Sequence, residues 1–173
     1  MPAKVEHSLS SIFNNGRAPQ NIFEAAQRGD KKYIQRFVER AIDFDINERD
    51  KIQRNALHWA AELGHVEAAE LLIDYGIDVK AMECNGRMPL HLAARSANLP
   101  MIKTLLEFLP ENEVAAAVNQ PDLFGQTPIW LARQKGGLEG QEAFEYFLLH
   151  GGRLNEEGGK GSQKPPSYVP TTV

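Results

Sequence analysis

Apolar residues recur along this chain at the three-to-four-residue spacing of helices, and not at the strict alternation of strands. The stretch NALHWAAELGHVEAAELLIDYG, from Asn55 to Gly76, contains two such blocks on either side of Gly64-His65. Apolar residues at positions i, i+3, i+4 and i+7 predict amphipathic helices that bury one face. Gly64 and Gly76 follow the two blocks, and glycine often ends helices because it readily takes the left-handed conformation. The stretch therefore predicts a helix–turn–helix.

The two-helix pattern occurs four times along the chain. Leu57 belongs to its clearest copy, and the equivalent residues downstream are Leu90 and, after a somewhat longer interval, Ile129. Upstream, Ile22 holds the same place in a weaker copy. A period of about 33 residues with two helices in each unit indicates a repeat array, in which no single unit can bury its own apolar face.

The repeated residues resemble the ankyrin repeat family, whose unit carries T-P-L-H-x-A-A, then G-H, then an apolar stripe and a closing glycine. The second unit reads NALHWAA followed by GH, the third reads MPLHLAA, and the fourth reads TPIWLA. The resemblance covers about residues 20–155 and implies an all-α ankyrin repeat solenoid. Its helix–turn–helix units would stack, with short β-hairpin fingers between them at residues 50–54, 83–87 and 122–126.

Several positions depart from the family's motif. Asn55 and Met88 replace its threonine, Trp130 replaces its histidine, and Asn98 stands where a histidine usually follows the glycine. Extra residues after Phe108 (PENEVAAA) and after Lys135 (GGLEGQEA) are expected to lengthen two connections. The first unit lacks the T-P-L-H signature, as expected of a capping repeat.

The pattern also predicts how the units pack. The pairs Ala60-Ala61 and Ala93-Ala94 are small enough to let one helix lie close against the next. Leu71, Leu72 and Ile73 supply the apolar stripe of a second helix, which buries it against its neighbours. Leu72 is expected to lie deep in that stripe.

The chain divides into three parts by composition. Residues 20–155 form the expected repeat domain, with units at about 20–49, 50–82, 83–119 and 120–155. The polar residues 1–19 are expected to be mobile, although Ile12 and Phe13 offer apolar groups that could dock on the first repeat. The Gly/Pro-rich residues 156–173 are expected to be a disordered tail.

Charge and cysteine content narrow the possible functions. The net charge is −4, and no Lys/Arg block exceeds Lys31-Lys32, so the basic footprint of a nucleic-acid-binding protein is missing. Cys84 is the only cysteine, which excludes internal disulfides and CxxC metal sites and favours a reducing compartment. No apolar stretch approaches the length of a signal-peptide core or a membrane span. We therefore expect a monomeric intracellular protein, cytoplasmic or nuclear.

The histidines predict a scaffold and not a reactive site. His58 and His91 occupy the same slot in consecutive units, one repeat period apart. A metal ligand or catalytic histidine has no need to recur at the period of the fold, whereas a structural histidine does. We predict that each imidazole hydrogen-bonds backbone in the turn that opens its first helix, and that Asn55 helps to fix His58. A structural role is likewise expected for His65, in the turn between two helices.

No motif predicts catalysis or cofactor binding. No His, Cys and carboxylate cluster has metal-ligand spacing, and no Ser or Cys lies in a nucleophile motif. The stretch GGRLNEEGGKGSQK fails the phosphate-loop pattern, because Lys160 is followed by Gly161 and not by Ser or Thr. The sequence therefore predicts a protein that is not an enzyme, with no cofactor and no metal.

The resemblance implies a non-catalytic module that binds a protein partner through its concave groove and finger tips. Groove positions carried over from the family are Glu24, Gln27, Arg28, Trp59, Glu62, Leu63, Leu92, Arg95, Ser96, Leu131, Gln134 and Lys135. The alternative for Trp59, Leu92 and Leu131 is that they only pack between neighbouring first helices. Two other functions stay open: a stoichiometric inhibitor of a kinase or transcription factor, and a regulatory segment of a larger enzyme.

The tail carries two short motifs of its own. Pro165, Pro166 and Tyr168 form the P-P-x-Y pattern of a WW-domain ligand, which two adjacent prolines preform as polyproline II. The terminal residues Thr171 to Val173 resemble a PDZ-binding end. A WW-domain protein is therefore a second candidate partner.

Overall fold

The computed structural model of the chain describes residues 17–40 and 43–154. Within these ranges it contains helices and turns, and no strand is formed. The helices are α1 Ile22–Arg28, α2 Lys31–Arg40, α3 Ala56–Leu63, α4 Val66–Asp74, α5 Pro89–Ser96, α6 Leu99–Glu107, α7 Glu111–Asn119, α8 Pro128–Lys135 and α9 Gly137–Leu149. The predicted all-α repeat solenoid is confirmed.

Four helix pairs stack side by side. The first helices of the units, α1, α3, α5 and α8, pack against one another in that order and form the inner layer. The second helices, α2, α4, α6 and α9, form the outer layer in the same order, and each packs on its own first helix. The extensive helix contacts lie within a unit or between neighbouring units, as expected of a repeat array.

Local sequence signals explain where the first helices begin and end. Asn55 caps α3, because its side-chain oxygen accepts a hydrogen bond from the backbone N–H of His58 at 3.2 Å. Pro89 and Pro128 stand at the starts of α5 and α8, where a helix needs no N–H donor. Gly64 ends α3 with φ +78°, in the left-handed region that glycine tolerates best.

Small and branched apolar residues fill the space between the layers. The paired alanines of α3 and α5 have no measurable exposure, which lets neighbouring first helices approach closely. Leu72 of α4 is fully buried, as predicted, while Leu71 and Ile73 on either side of it are partly exposed. Of the three adjacent apolar residues in α4, only Leu72 is therefore fully buried.

The two insertions differ from the sequence-based expectation of longer connections. The residues after Phe108 form an additional helix, α7, which packs against α8. The residues after Lys135 lengthen the second helix of the fourth unit, and only Gly136 separates α8 from α9. Glu111 and Glu113 lie in the first turn of α7, where carboxylates stabilise the positive end of the helix dipole.

The fingers between units are compact turns. In each finger the first residue donates its backbone N–H to the carbonyl of the fifth, at 2.9–3.0 Å; the pairs are Asp50–Arg54, Glu83–Arg87 and Asp122–Gln126. Successive fingers are joined by single backbone hydrogen bonds, Cys84 N–H to Ile52 O at 3.0 Å and Leu123 N–H to Asn85 O at 2.9 Å. The fingers thus lie beside one another along one edge of the array.

Candidate functional site

His58 and His91 each tie one repeat to the next. Nε2 of His58 donates to Arg87 O at 3.0 Å, because a carbonyl can only accept, and Nδ1 lies 3.3 Å from Asn55 N and 2.6 Å from Asn55 Oδ1. His91 repeats the arrangement, accepting from Met88 N–H at 3.1 Å and donating to Gln120 O at 2.9 Å. Both imidazoles are fully buried. Their predicted bonds to backbone in the opening turn are confirmed, and the bonds to Arg87 O and Gln120 O, ahead of the next first helix, were not foreseen.

Burial keeps both imidazoles neutral. Removal from water lowers the pKa of His58 and of His91 from the ordinary value of 6.5 to about 4. Each ring nitrogen is also occupied by a backbone group, which leaves no lone pair for a metal and no proton to exchange with a substrate. The arrangement suits a structural bond and not acid–base chemistry.

His65 links backwards to the previous unit. Its Nε2 lies 2.9 Å from Gln27 O, across the first two repeats. The ring lies so close to Gly29 that a Cβ at that position would meet Nδ1 at 2.7 Å. The expected structural role of His65 therefore fits this contact, since its ring fills the place where a side chain at residue 29 would stand.

Five side chains form a bonded cluster on the inner layer, which we call the groove cluster: Asp50, Arg54, Trp59, Glu62 and Arg95. The indole N–H of Trp59 donates to Asp50 Oδ2 at 2.9 Å, and the guanidinium of Arg54 lies 4.6 Å from the centre of the same ring. Glu62 accepts from Arg54 of its own unit and from Arg95 of the next. Trp59 is half-buried, so one part of the indole is held in place while the rest stays accessible.

Arg54 and Arg87 also link neighbouring fingers, a role that the sequence reading missed. Arg54 lies 3.8 Å from the carboxylate of Glu83 in the next finger. Arg87, the equivalent residue of the next unit, donates from Nε to Asp122 in the following finger at 2.8 Å. Both carboxylates are buried, so the pairs are shielded from water. The signal was present as an arginine that ends each of the first two fingers, one repeat period apart, with an acidic residue opening the finger that follows.

Two of the predicted groove residues are not on the surface. Leu92 is 1% exposed and Leu131 is 6% exposed. This burial favours the alternative that both leucines pack within the array, and their assignment as partner-binding residues stays a prediction. Trp59, in the same slot, is only partly buried, so part of its indole stays exposed while the rest packs against the core.

The remaining predicted residues are accessible to different degrees. Arg95, Ser96, Gln134 and Lys135 are exposed, and Glu24, Gln27, Arg28 and Leu63 are partly exposed. In the first unit, Arg28 is held by Glu24 and by the carbonyl of Arg17. The structure thus brings Trp59, Glu62 and Arg95 into one bonded group and leaves Gln134 and Lys135 without a contact to that group.

The finger edge presents apolar side chains next to this surface. Leu123 is 75% exposed, Phe124 is 55% exposed and Ile52 is 39% exposed. The Arg87 guanidinium lies 5.6 Å from the centre of the Phe124 ring. Leu123 rests on Gly86 of the preceding finger, where a Cβ would approach its side chain to 3.2 Å.

The described residues offer little else that bears on function. No three His, Cys, Asp or Glu side chains in this part of the chain lie close enough together to hold a metal ion. None of the helices described is both long and apolar enough to cross a membrane. Pro165, Pro166 and Tyr168 lie outside the described residues, as do the terminal Thr171 to Val173.

Several curated proteins match part of this chain. Mouse inversin is 30% identical over 94 residues, which are 54% of this chain and 9% of inversin. Alpha-latrotoxin-Lg1a of Latrodectus geometricus is 32% identical over 139 residues, 79% of this chain and 10% of the toxin. Palmitoyltransferase AKR1 of Lachancea kluyveri is 29% identical over 98 residues, 56% of this chain and 13% of that protein. The chain therefore spans only about a tenth of the length of these relatives.

A family model described as ankyrin repeats in three copies matches residues 22–116, more than half of the 173 residues. The match covers the first three helix pairs together with part of α7, and the structure adds a fourth pair, α8 and α9, packed in the same way. Repeats of this kind serve in general as protein–protein interaction modules. The helical pairs, the histidine links between them and the family match together establish that this chain belongs to the ankyrin repeat family.

Proposed function

We propose that this array is a non-catalytic adaptor that binds a protein partner across its inner layer, with Trp59 as the central contact. The observation that carries the proposal is the groove cluster. It holds a large aromatic ring between a carboxylate and a guanidinium while leaving part of the ring accessible. Tryptophan is the residue type most enriched among those that dominate interface energies, and arginine is also enriched.

The groove cluster lowers the cost of binding because its side chains are already ordered. Glu62 is fixed by cations from two repeats, and Trp59 is fixed at both its N–H and its ring face. Immobilising a long side chain on binding costs roughly 0.5–1.5 kcal/mol, so residues that are fixed beforehand retain more of their contact energy. The exposed Leu123 and Phe124 on the finger edge extend the proposed surface with apolar area.

The binding surface is tested by replacing Trp59. The partner is first captured on the immobilised chain and identified by mass spectrometry, and its affinity is then measured by isothermal titration calorimetry. Trp59→Ala is expected to weaken binding by at least about 1–2 kcal/mol, roughly tenfold in Kd, because it removes the aromatic contact.

The matched control is Trp130→Ala, the same change at the chain's other tryptophan. Trp130 occupies the slot of His58 and His91 in the fourth unit, away from the groove cluster. It is expected to leave the affinity unchanged. If Trp59→Ala binds like the wild type while its circular dichroism spectrum is unaltered, the interface lies on the fingers or in the tail and the groove proposal fails.

One alternative has a specific observation in its favour. The match to palmitoyltransferase AKR1 covers 13% of that protein, so a segment similar to this chain is part of a much longer protein that is named as an enzyme. The alternative proposal is that the repeat array is the regulatory, partner-recruiting segment of a larger enzyme. The length of the full transcript distinguishes a stand-alone adaptor from such a segment.

The tail supplies a second proposed partner, a WW-domain protein bound through Pro165, Pro166 and Tyr168. A peptide of residues 161–173 is expected to bind at least one member of a WW-domain panel, measured by fluorescence polarisation. The Tyr168→Ala peptide is the control, because it keeps the prolines and removes the ring that the WW groove accepts. Equal binding of the wild-type and Tyr168→Ala peptides to every domain of the panel would contradict the proposed WW-domain contact.

A further inference from the structure

The first repeat carries two neighbouring clefts that the proposed adaptor function does not use. One has a volume of about 410 Å³ and is lined by Ala18, Pro19, Tyr33, Arg36, Phe37 and Arg40. It lies between the short stretch that leads into α1 and the side chains of α2. The other, of about 610 Å³, shares Ala18, Pro19 and Tyr33 with the first, and its lining includes Arg17 and Lys32. Both clefts therefore combine apolar groups with cations.

The cations of α2 at these clefts have no carboxylate partner among the described residues. Lys32, Arg36 and Arg40 are exposed, and none of them belongs to an ion pair in this part of the chain. The three carboxylates of residues 17–40 are each bonded to another group: Glu24 to Arg28, Asp30 to the backbone N–H of Tyr33, and Glu39 to the hydroxyl of Tyr75. The positive charge of the clefts is thus available to a ligand.

The net charge of this region is opposite to that of the rest of the chain. Residues 17–40 hold six Lys or Arg and three Asp or Glu, which gives a net charge of +3. Because the whole chain carries −4, the residues outside this range together carry −7. A nucleic acid or an anionic membrane is an extended polyanion, so it would also meet this acidic remainder and be repelled by it. A short acidic segment can contact the basic region alone.

The aromatic rings of the first cleft add apolar surface beside its cations. The Arg36 guanidinium lies 5.8 Å from the centre of the Tyr33 ring. A guanidinium held near a ring face keeps the N–H groups at its edge available for a carboxylate. Tyr33 and Phe37 are half-buried and Pro19 is buried. The cleft therefore suits a ligand that brings an apolar side chain and carboxylates together.

We infer that this cleft binds an acidic segment of a partner protein. An apolar side chain of the segment enters the cleft between Pro19 and α2, and its carboxylates pair with Arg36 and Arg40. The groove cluster belongs to the second and third units and shares no residue with this cleft. The two surfaces can therefore be tested independently of each other.

Binding of a model peptide to the full-length chain tests the inference. The probe is a fluorescein-labelled peptide that holds one leucine between three acidic residues on each side, titrated by fluorescence anisotropy at low salt. Arg36→Gln with Arg40→Gln is expected to raise its Kd at least about tenfold, because charge-assisted hydrogen bonds to the carboxylates are lost. Replacing the leucine of the probe by serine is expected to raise the Kd for the wild type at least about fivefold, because the apolar contact is lost.

The control is Arg133→Gln with Arg153→Gln, which removes two exposed arginines at the other end of the array. The Kd of the probe is expected to stay unchanged, although the net charge falls by the same amount. Circular dichroism is expected to show an intact fold in both double variants, since all four arginines are exposed. Equal losses of affinity in the two double variants would show that net charge alone attracts the probe, and would overturn the inference.

Four other results also contradict the proposed binding. The wild type might fail to bind the probe, or Arg36→Gln with Arg40→Gln might bind it like the wild type. A single-stranded oligodeoxynucleotide of the same charge could bind the wild type as tightly as the probe, which would make the cleft a site for any polyanion. Analytical ultracentrifugation without the probe could reveal a dimer that the Arg36→Gln, Arg40→Gln variant dissociates, which would make a second copy the occupant. Any one of these overturns the inference.

Discussion

Lowering the pH from 6.5 towards 4 is expected to destabilise the array steeply, because His58 and His91 are neutral only while it is folded. Unfolding returns both imidazoles to water, where their pKa rises from about 4 to the ordinary 6.5. Their contribution to stability is therefore complete above pH 6.5 and is lost as the pH falls through this window. For each pH unit by which the pH falls in this window, each histidine lowers the free energy of unfolding by up to about 1.4 kcal/mol. The pair together lowers it by roughly 3 kcal/mol per pH unit.

Urea unfolding at half-unit steps between pH 7 and pH 5 measures this slope, and it stops before most carboxylates titrate. Replacing His91 alone by Gln should halve the slope of the unfolding free energy against pH, and replacing both histidines should abolish it. A slope that survives in the double variant would mean that other groups cause the acid sensitivity. If the double variant does not fold, an NMR titration of the two wild-type imidazoles decides the point, because they must stay neutral down to about pH 4.

Leu72→Ala is expected to cost roughly 2–5 kcal/mol of stability. Leu72 is fully buried in α4, between its own first helix and the outer helices of the neighbouring repeats. Shortening it removes apolar contacts and leaves a cavity, because stacked helices cannot collapse fully into the space. Because repeats stabilise one another through their interfaces, a cavity in the second unit is expected to destabilise the neighbouring units as well. Chemical denaturation followed by circular dichroism measures the loss.

The control is Leu149→Ala, the same substitution at the exposed end of α9. Leu149 is 83% exposed, so the change should stay within about 0.5 kcal/mol of the wild type. Equal losses in the two variants would contradict the assignment of inner and outer positions in the array.

The candidate site was only partly predictable from sequence. The family motif placed Trp59, Leu92 and Leu131 in one slot, and the sequence left open whether that slot faces the groove or the helix contact. In the structure both leucines are buried, while the indole of Trp59 is only partly buried. Trp59 contacts Asp50 and Arg54, which belong to the finger before its helix. These contacts depend on how the finger folds back on the helix, and the composition of the sequence does not reveal that.

Periodicity in the sequence by itself determined the fold class, the number of helix pairs and the structural role of the recurring histidines. These three features can be predicted because each depends on a signal in the sequence itself, such as helical spacing, a capping residue or recurrence at the period of the repeat. Only the tertiary structure decided that PENEVAAA forms part of an extra helix, that Arg54 and Arg87 bridge successive fingers, and that Leu92 and Leu131 are buried. Each of these depends on what a neighbouring repeat places opposite the residue, and distances across a repeat interface are set by packing and not by spacing along the chain.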